Sequence, residues 1–304
     1  MKRMLKKGLL LCLVFLVTTG CSEGKAKMVS EQAADREVTS EQHLSVQEPN
    51  EDEQIFLEPQ EKESESITGK EIVEVKENKE GERDVVSGKT AYLTFDDGPS
   101  PITNQVLDIL KEKNIKATFF VVGKSIEKNR EILERIVEEG HAVGNHTYSH
   151  NYSYIYKSVD NFFEDFQKNE DLIQEVTGLT TKLVRLPGGS NNVSSIPHGG
   201  KFLMYDIIKK LEEQEYVYFD WNMSSKDASN WTPTVQQMVY STLNQTQERE
   251  QVIILFHDTI NKNTTVEALP GIIQGLEDMG YGFESLSEES YRVWFPLRKP
   301  PTTP

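Results

Sequence analysis

From Lys89 onward, short apolar runs alternate with amphipathic stretches, and this alternation constrains the fold more than any other feature. The apolar runs are predicted strands, at residues 91–95, 117–121, 142–145, 182–186, 217–221, 252–256 and 283–286. The amphipathic stretches are predicted helices, at residues 104–113, 130–139, 161–176, 202–213, 235–246 and 266–279. Repeated strand–helix units imply a parallel sheet. About seven of them favour an α/β fold with a distorted (β/α)-type barrel of about seven parallel strands.

Side chains that can carry chemistry follow the predicted strands at their carboxyl ends. They are Asp96, Asp97, His146, His150, Arg185, Asp227 and His257. In a parallel barrel the carboxyl ends of the strands meet at one face, where the chemistry collects. The sequence therefore predicts that these residues share one site.

Two of these segments together indicate a divalent-metal site. Residues 94–99 read Thr-Phe-Asp-Asp-Gly-Pro, and residues 145–150 place His146 and His150 four positions apart, a spacing that puts both on one side of a helical turn. One carboxylate and two imidazoles form a three-ligand site with open positions, and the second carboxylate can act as a base on water. Taken alone, the first segment reads equally well as a simple turn and the second as a polar helix start.

Two further strand ends admit more than one interpretation. His257 suits a general acid, because its ordinary pKa lies near neutrality, or it is a hydrogen-bonded core histidine. Arg185 could bind an acidic substrate group, pair with the aspartate base, or lie on the surface at a Pro-Gly turn. The glycines that follow it expose backbone N–H groups to a developing oxyanion. His141 and His198 have no such neighbours and are predicted to be structural or superficial.

The first residues have the pattern of a secretory signal, predicted at residues 1–21. Four cations precede an apolar run at residues 8–17, and the small residue before Cys21 indicates a lipoprotein signal with a lipidated Cys21. Simple secretion and an uncleaved anchor are the alternatives. Both cysteines, Cys12 and Cys21, lie here, so a metal in the mature body must use nitrogen and oxygen ligands.

Residues 22–88 are predicted to be a disordered acidic linker, because nineteen acidic residues stand against eight basic ones and Phe56 is the single aromatic. The catalytic domain is predicted at residues 89–290 and a C-terminal tail at 291–304. The chain carries a formal net charge of −16. An acidic body argues against a nucleic-acid partner, which usually requires a basic face.

In these motifs the body resembles the polysaccharide deacetylases of carbohydrate esterase family 4, the NodB homology domain, over roughly residues 89–286. The motifs occur in the family's order. The resemblance implies a NodB-like barrel in which Asp96 is the catalytic base and Asp97 a metal ligand. Residues 145–150 match the family's His-x-x-x-His motif, which makes His146 and His150 the other two ligands.

The resemblance also assigns roles near the reacting groups. Arg185 would steer the base, and the Gly188 N–H would donate to the oxyanion. Leu255 would line the acetyl pocket, and His257 would be the catalytic acid.

One motif departs from the family's pattern. The family shows an Asp-Trp pair, in which the aspartate holds the acid histidine and the tryptophan walls the acetyl pocket. Asp227 fits the aspartate, but Ala228 stands at the tryptophan position, and Gly188 stands where an aromatic residue is common. Trp221 or Trp231 is available to fill the gap.

The resemblance implies a metal-dependent hydrolase that removes N-acetyl groups from cell-wall polysaccharide by cleaving a linear amide C–N bond. The implied cofactor is Zn²⁺, with Co²⁺, Ni²⁺ or Mn²⁺ as alternatives, and the implied substrate is peptidoglycan N-acetylglucosamine or N-acetylmuramic acid, or N-acetylglucosamine oligomers. We expect a monomer, lipid-anchored to the outer face of a bacterial membrane, with no nucleic-acid partner. An O-acetyl esterase acting on xylan-type or wall sugars and a non-catalytic wall-binding lipoprotein are the alternatives.

Overall fold

The computed structural model describes residues 88–229, 233–246 and 249–301. The predicted signal at 1–21 and, except for Gly88, the predicted linker at 22–88 lie outside the described residues. Within those described ranges, no helix combines the length and apolar character needed to cross a membrane.

Eight strands alternate with nine helices in the described part of the chain. The strands are β1 (Thr90–Asp96), β2 (Thr118–Val121), β3 (Ala142–Asn145), β4 (Leu183–Val184), β5 (Val217–Tyr218), β6 (Met223–Ser224), β7 (Gln251–His257) and β8 (Gly282–Phe283). The helices are α1 (Pro101–Lys113), α2 (Gly123–Ile126), α3 (Arg130–Glu138), α4 (Tyr152–Ile155), α5 (Val159–Thr177), α6 (Ile196–Gly199), α7 (Leu203–Glu213), α8 (Val235–Leu243) and α9 (Asn263–Asp278).

The strands form one parallel sheet in the order β5-β4-β3-β2-β1-β7-β6, with β8 also pairing with β1. All seven predicted strands are present, and the predicted fold of parallel strands and helices is confirmed. The strand β6 and the short helices α2, α4 and α6 were not predicted, because a two-residue strand or a four-residue helix leaves too short a pattern for periodicity to reveal. The register of β1 and β7 places Asp96 beside His257 at the carboxyl end of the sheet.

In the two central strands, β1 and β7, successive side chains point to opposite faces of the sheet. One face packs against the helices, and the other lines the barrel interior. The helix-facing side of β1 and β7 carries Leu93, Phe95, Ile254 and Phe256. The interior side carries Tyr92, Ile253 and Leu255, which pack with Phe120 and Trp221 from neighbouring segments. Each such buried apolar side chain contributes about 1.5–3 kcal/mol. The same alternation turns Asp96 and His257 inward, where β1 and β7 end.

The helix that follows β1 is tied to the end of β7. Ser100 caps α1 by accepting a hydrogen bond from the Ile102 amide, and its own hydroxyl donates to the Asp258 carbonyl at 2.6 Å. Loss of an N-cap hydroxyl typically costs about 1 kcal/mol. The cap therefore fixes both the start of α1 and the segment just beyond His257.

Part of the segment predicted as a C-terminal tail packs on the barrel. The Phe295 amide donates to Asp220 Oδ2 at 2.7 Å, and the Phe295 ring meets Trp221 edge-on with centroids 5.0 Å apart. Val293 is also buried. Val293 and Phe295 therefore belong to the same buried cluster as Trp221 in the barrel interior.

Candidate active site

Asp97, His146 and His150 come together at the carboxyl end of the sheet. Asp97 Oδ1 lies 3.3 Å from His150 Nε2 and 3.7 Å from His146 Nε2. Ligand atoms held about 2.0–2.2 Å from one ion at tetrahedral angles are about 3.4 Å apart. Asp97 Oδ1 is also buried and accepts no hydrogen bond from the described part of the chain. One carboxylate and two imidazoles therefore fit a divalent ion such as zinc.

The orientation of His146 is fixed by a backbone carbonyl. His146 is fully buried, and its Nδ1 lies 2.7 Å from the Arg185 carbonyl oxygen. Because a carbonyl accepts hydrogen bonds and cannot donate them, Nδ1 carries the proton and Nε2 keeps its lone pair. That lone pair faces Asp97, as a metal-ligating histidine requires.

The two histidines do not lie on a helical turn, so that part of the sequence prediction was wrong. Residues 146–150 form a loop in which Thr147 and His150 have positive φ angles of 65° and 49°. Asp165 of α5 accepts hydrogen bonds from the Tyr148 and Ser149 amides at 2.7 and 2.9 Å, and Asn145 Oδ1 accepts one from the Thr147 amide at 2.8 Å. These side chains replace the backbone pairing that a helix would have supplied.

Asp96 forms a buried ion pair. Arg185 Nη1 donates to Asp96 Oδ1 at 2.9 Å, and both side chains are within 1% of complete burial. Arg185 therefore does not lie on the surface. An opposite charge at this distance favours the ionised carboxylate, which is the form that can accept a proton.

Arg185 is itself held on every side. It donates to Thr94 Oγ1 at 2.7 Å and to the Phe219 carbonyl at 3.0 Å. Its guanidinium carbon lies 4.3 Å from the centre of the Phe120 ring and 5.8 Å from that of Trp221. Trp221 is thus placed in the barrel interior among these groups, and Trp231 lies outside the described residues.

The second half of the site is the pair formed by Asp227 and His257. Asp227 Oδ1 lies 2.7 Å from His257 Nδ1, and Asp227 Oδ2 accepts from the His257 amide at 2.7 Å and from Thr265 Oγ1 at 3.0 Å. Burial alone would raise the pKa of Asp227. The charge of the His257 imidazole, the hydrogen bonds from His257 and the charge of Lys262 together outweigh burial. They hold the pKa of Asp227 below its ordinary value. Asp227 is therefore a carboxylate that orients His257 and favours its protonated form.

The predicted pocket residues lie around these groups. Gly188 follows β4 with φ of 74°, and a Cβ atom there would lie 2.8 Å from Tyr152 Oη, so a side chain at this position would collide. Leu255 is fully buried on the interior face of β7, and Ala228 directly follows Asp227 and is partly exposed. His198 is exposed, whereas His141 is buried and accepts a hydrogen bond from the Ala117 amide at 3.1 Å.

Sequence reasoning missed Asp165 and Asp258. Asp165 lies in the middle of an amphipathic helix, and no local pattern signals its contact with the histidine loop. Asp258 follows His257, and its buried carboxylate accepts a hydrogen bond from Thr103 Oγ1 at 2.6 Å. Burial raises the pKa of Asp258 to about 7, with that hydrogen bond opposing and the charges of Asp97 and Asp96 adding to the effect. Its place after a strand end was an available signal.

Comparison with known proteins identifies the family to which the chain is similar. The sequence profile of a family described as polysaccharide deacetylase matches residues 83–201. A peptidoglycan-N-acetylglucosamine deacetylase of Bacillus cereus is 32% identical over 207 residues, which cover 67% of this chain and 71% of that protein. The peptidoglycan-N-acetylmuramic acid deacetylase PdaC of Bacillus subtilis is 30% identical over 201 residues, 66% of this chain and 38% of that protein.

A solved structure resembles the same region. The catalytic domain of a peptidoglycan N-acetylglucosamine deacetylase from Eubacterium rectale superposes with a TM-score of 0.66 at 32% identity. The match covers 69% of this chain and 94% of that one.

Proposed function

Because the chain belongs to the polysaccharide deacetylase family, we propose that it hydrolyses the N-acetyl groups of peptidoglycan amino sugars with the help of a divalent metal ion. The observation that carries this proposal is the convergence of Asp97, His146 and His150 beside a buried, arginine-paired Asp96. A binding protein has no need of a base and an acid at the ends of two neighbouring strands, whereas hydrolysis of an amide requires both.

The three ligands would hold the ion, which when bound would supply an activated water and polarise the acetyl carbonyl. Asp96, kept ionised by Arg185, accepts the proton that the water loses as its oxygen bonds to the carbonyl carbon. The Gly188 amide donates a hydrogen bond to the developing oxyanion. His257, oriented by Asp227, gives its proton to the sugar nitrogen as the C–N bond breaks. The products are acetate and a free amine.

Peptidoglycan is favoured as substrate by two observations. The relatives compared above are named as deacetylases of its two amino sugars. The signal pattern that ends at Cys21 predicts export and a lipid anchor, which would place the enzyme at the outer face of the membrane, next to the wall. We propose this location together with the function, and we propose zinc as the working metal because nitrogen and oxygen ligands of this number suit it.

The test is acetate release by the full chain, purified in detergent, on peptidoglycan and on N-acetylglucosamine oligomers. We expect release that a chelator stops and added Zn²⁺ restores. The Asp96→Asn variant should bind metal normally and release acetate roughly 10²–10⁴-fold more slowly, because it lacks the base. Chelator-insensitive release, or normal turnover by Asp96→Asn, would refute the proposed mechanism. Faster release from O-acetylated xylan than from either amide substrate would assign the esterase function instead.

A further inference from the structure

A cleft of about 290 Å³ adjoins the acid side of the site and is not used by the mechanism above. It shares Asp227 with the catalytic pair and is otherwise lined by residues that include Ala228, Asn261, Lys262, Thr264 and Thr265. A cleft of this size holds several water molecules and therefore has room for a three-carbon substituent.

The short side chain at position 228 contributes to this opening. Ala228 directly follows Asp227, whose carboxylate contacts His257, and it extends only a methyl group into the cleft. A large aromatic side chain at this position would take up much of the volume next to the reacting groups. The small side chain of Ala228 therefore leaves part of the cleft open.

The charge of the cleft is set by Lys262. Its Nζ donates to the Asp227 carbonyl oxygen at 2.6 Å, which uses one of the three protons of the ammonium group. Its charge also lowers the pKa of the Asp227 carboxyl group, although no carboxylate of the described residues lies within ion-pair distance of Nζ. The single carboxylate among the described lining residues, Asp227, is already engaged by His257 and Thr265. Thr265 is buried and its hydroxyl already donates to Asp227. The cleft therefore offers the Lys262 ammonium group and the Thr264 hydroxyl to an incoming ligand.

We propose that this cleft is a subsite for a carboxylate carried by the substrate next to the reacting acetamido group. The inference rests on the proposed function and narrows its substrate. In peptidoglycan such a carboxylate has two sources, the lactyl ether of N-acetylmuramic acid and the peptide attached to it. Lys262 would bind the carboxylate through charge-assisted hydrogen bonds, and neutral N-acetylglucosamine would leave the subsite without a charged ligand.

The experiment measures kcat/KM for acetate release by the full chain on three substrates. These are a neutral N-acetylglucosamine tetramer, a peptidoglycan glycan stripped of its peptides so that the lactyl carboxylate is free, and the same glycan with its peptides. Because Lys262 also acts on Asp227, its loss can slow every substrate. We expect Lys262→Met to lower kcat/KM on a carboxylate-bearing glycan roughly tenfold more than on the tetramer, with the difference mainly in KM. Lys209→Met, a change on the exposed face of α7, is the matched control and should alter neither.

The three substrates distinguish the possible sources of the carboxylate. Sensitivity to Lys262→Met on the stripped glycan assigns the lactyl carboxylate, and sensitivity only on the intact glycan assigns the peptide. Equal loss on all three substrates would overturn the subsite and leave the proposed function intact, whereas no acetate from any substrate would overturn both. If Lys262→Met fails to fold, Ala228→Trp serves instead. It should fill part of the cleft and lower kcat/KM on the carboxylate-bearing glycan more than on the tetramer, and unchanged discrimination in that variant would also overturn the subsite.

Discussion

The two sides of the site are held in different ways. The metal side consists of Asp97, His146 and His150, and its histidine loop is fixed by Asp165 from a helix behind it and by the Arg185 carbonyl beneath it. The acid side consists of Asp227 and His257. It is held by side chains at the start of α9, Lys262 and Thr265, next to an open cleft.

This difference indicates which side of the site tolerates substitution of its residues. On the metal side a ligand shift of a few tenths of an ångström would disturb every coordination distance, and the supporting hydrogen bonds come from buried groups. On the acid side the catalytic contact is a single pair, and the wall beside it is built from Ala228 and α9. By the resemblance described above, Asp97, His146 and His150 match the family's ligands, whereas Ala228 on the acid side stands where the family has a tryptophan. We therefore expect metal chemistry to depend on one side and substrate choice on the other.

The largest effect is expected from His146→Ala, which removes a ligand from the metal side. We expect metal content, measured by elemental analysis, to fall close to zero and acetate release to drop roughly 10³-fold or more, since the ion's contribution is several kcal/mol. His198→Ala, at an exposed histidine, is the control and should keep both. Full metal content in His146→Ala would show that the ligand set is different.

A somewhat smaller loss is expected from His257→Gln on the acid side. Without a group to protonate the leaving amine, acetate release should fall roughly 10²–10⁴-fold, the usual contribution of general acid catalysis. Metal content should remain that of the unaltered chain, because His257 is not among the ligands. Loss of metal along with activity would show that the two sides of the site are not independent.

Asp165→Asn tests whether the metal side depends on its remote support. Both backbone N–H groups donate to Asp165 Oδ1, and a neutral amide oxygen accepts such bonds more weakly than a carboxylate does, so the loop carrying His150 should loosen. We expect the affinity for Zn²⁺, measured by competition with a chelator, to fall roughly tenfold, with a chain that remains folded. Asp171→Asn, an exposed position on the same helix, is the matched control. Unchanged affinity in Asp165→Asn would show that the loop holds its own shape.

The sequence predicted where the site lies more accurately than how its side chains are held in place. Strand ends after Phe95, Asn145 and Phe256 are visible because apolar runs stop abruptly at polar residues, and a parallel sheet must bring such ends together. The contact between Asp96 and Arg185 was predicted as one of three alternatives. The sequence did not decide among them, because a Pro-Gly turn does not show whether the Arg185 side chain is buried.

What could not be predicted depends on contacts between distant residues. The positive φ angles of Thr147 and His150 follow from hydrogen bonds to Asp165 and Asn145, and the spacing of the histidines alone suggested a helix. The cleft beside Ala228 likewise depends on how α9 begins, which periodicity does not encode. Local pattern gives the elements, and the packing of loops against helices gives the ligand geometry.

The smallest effect is expected at the other end of β3, where His141 is buried away from the metal side. Burial and the nearby Lys116 and Arg135, partly opposed by Glu139, lower the pKa of His141 to about 4. Its folded pKa lies below the ordinary value of 6.5, so the unfolded chain binds the proton more readily. Its stabilising contribution is therefore complete above that ordinary value and is lost as the pH falls toward 4. We expect the Tm of the unaltered chain to drop by roughly 2–6 °C more between pH 7 and pH 5 than the Tm of the His141→Asn variant does. The asparagine keeps an acceptor for the Ala117 amide but cannot titrate. Parallel Tm profiles for the two proteins would show that His141 does not titrate on unfolding, and acetate release by the variant at pH 7 should stay close to normal because His141 touches neither side of the site.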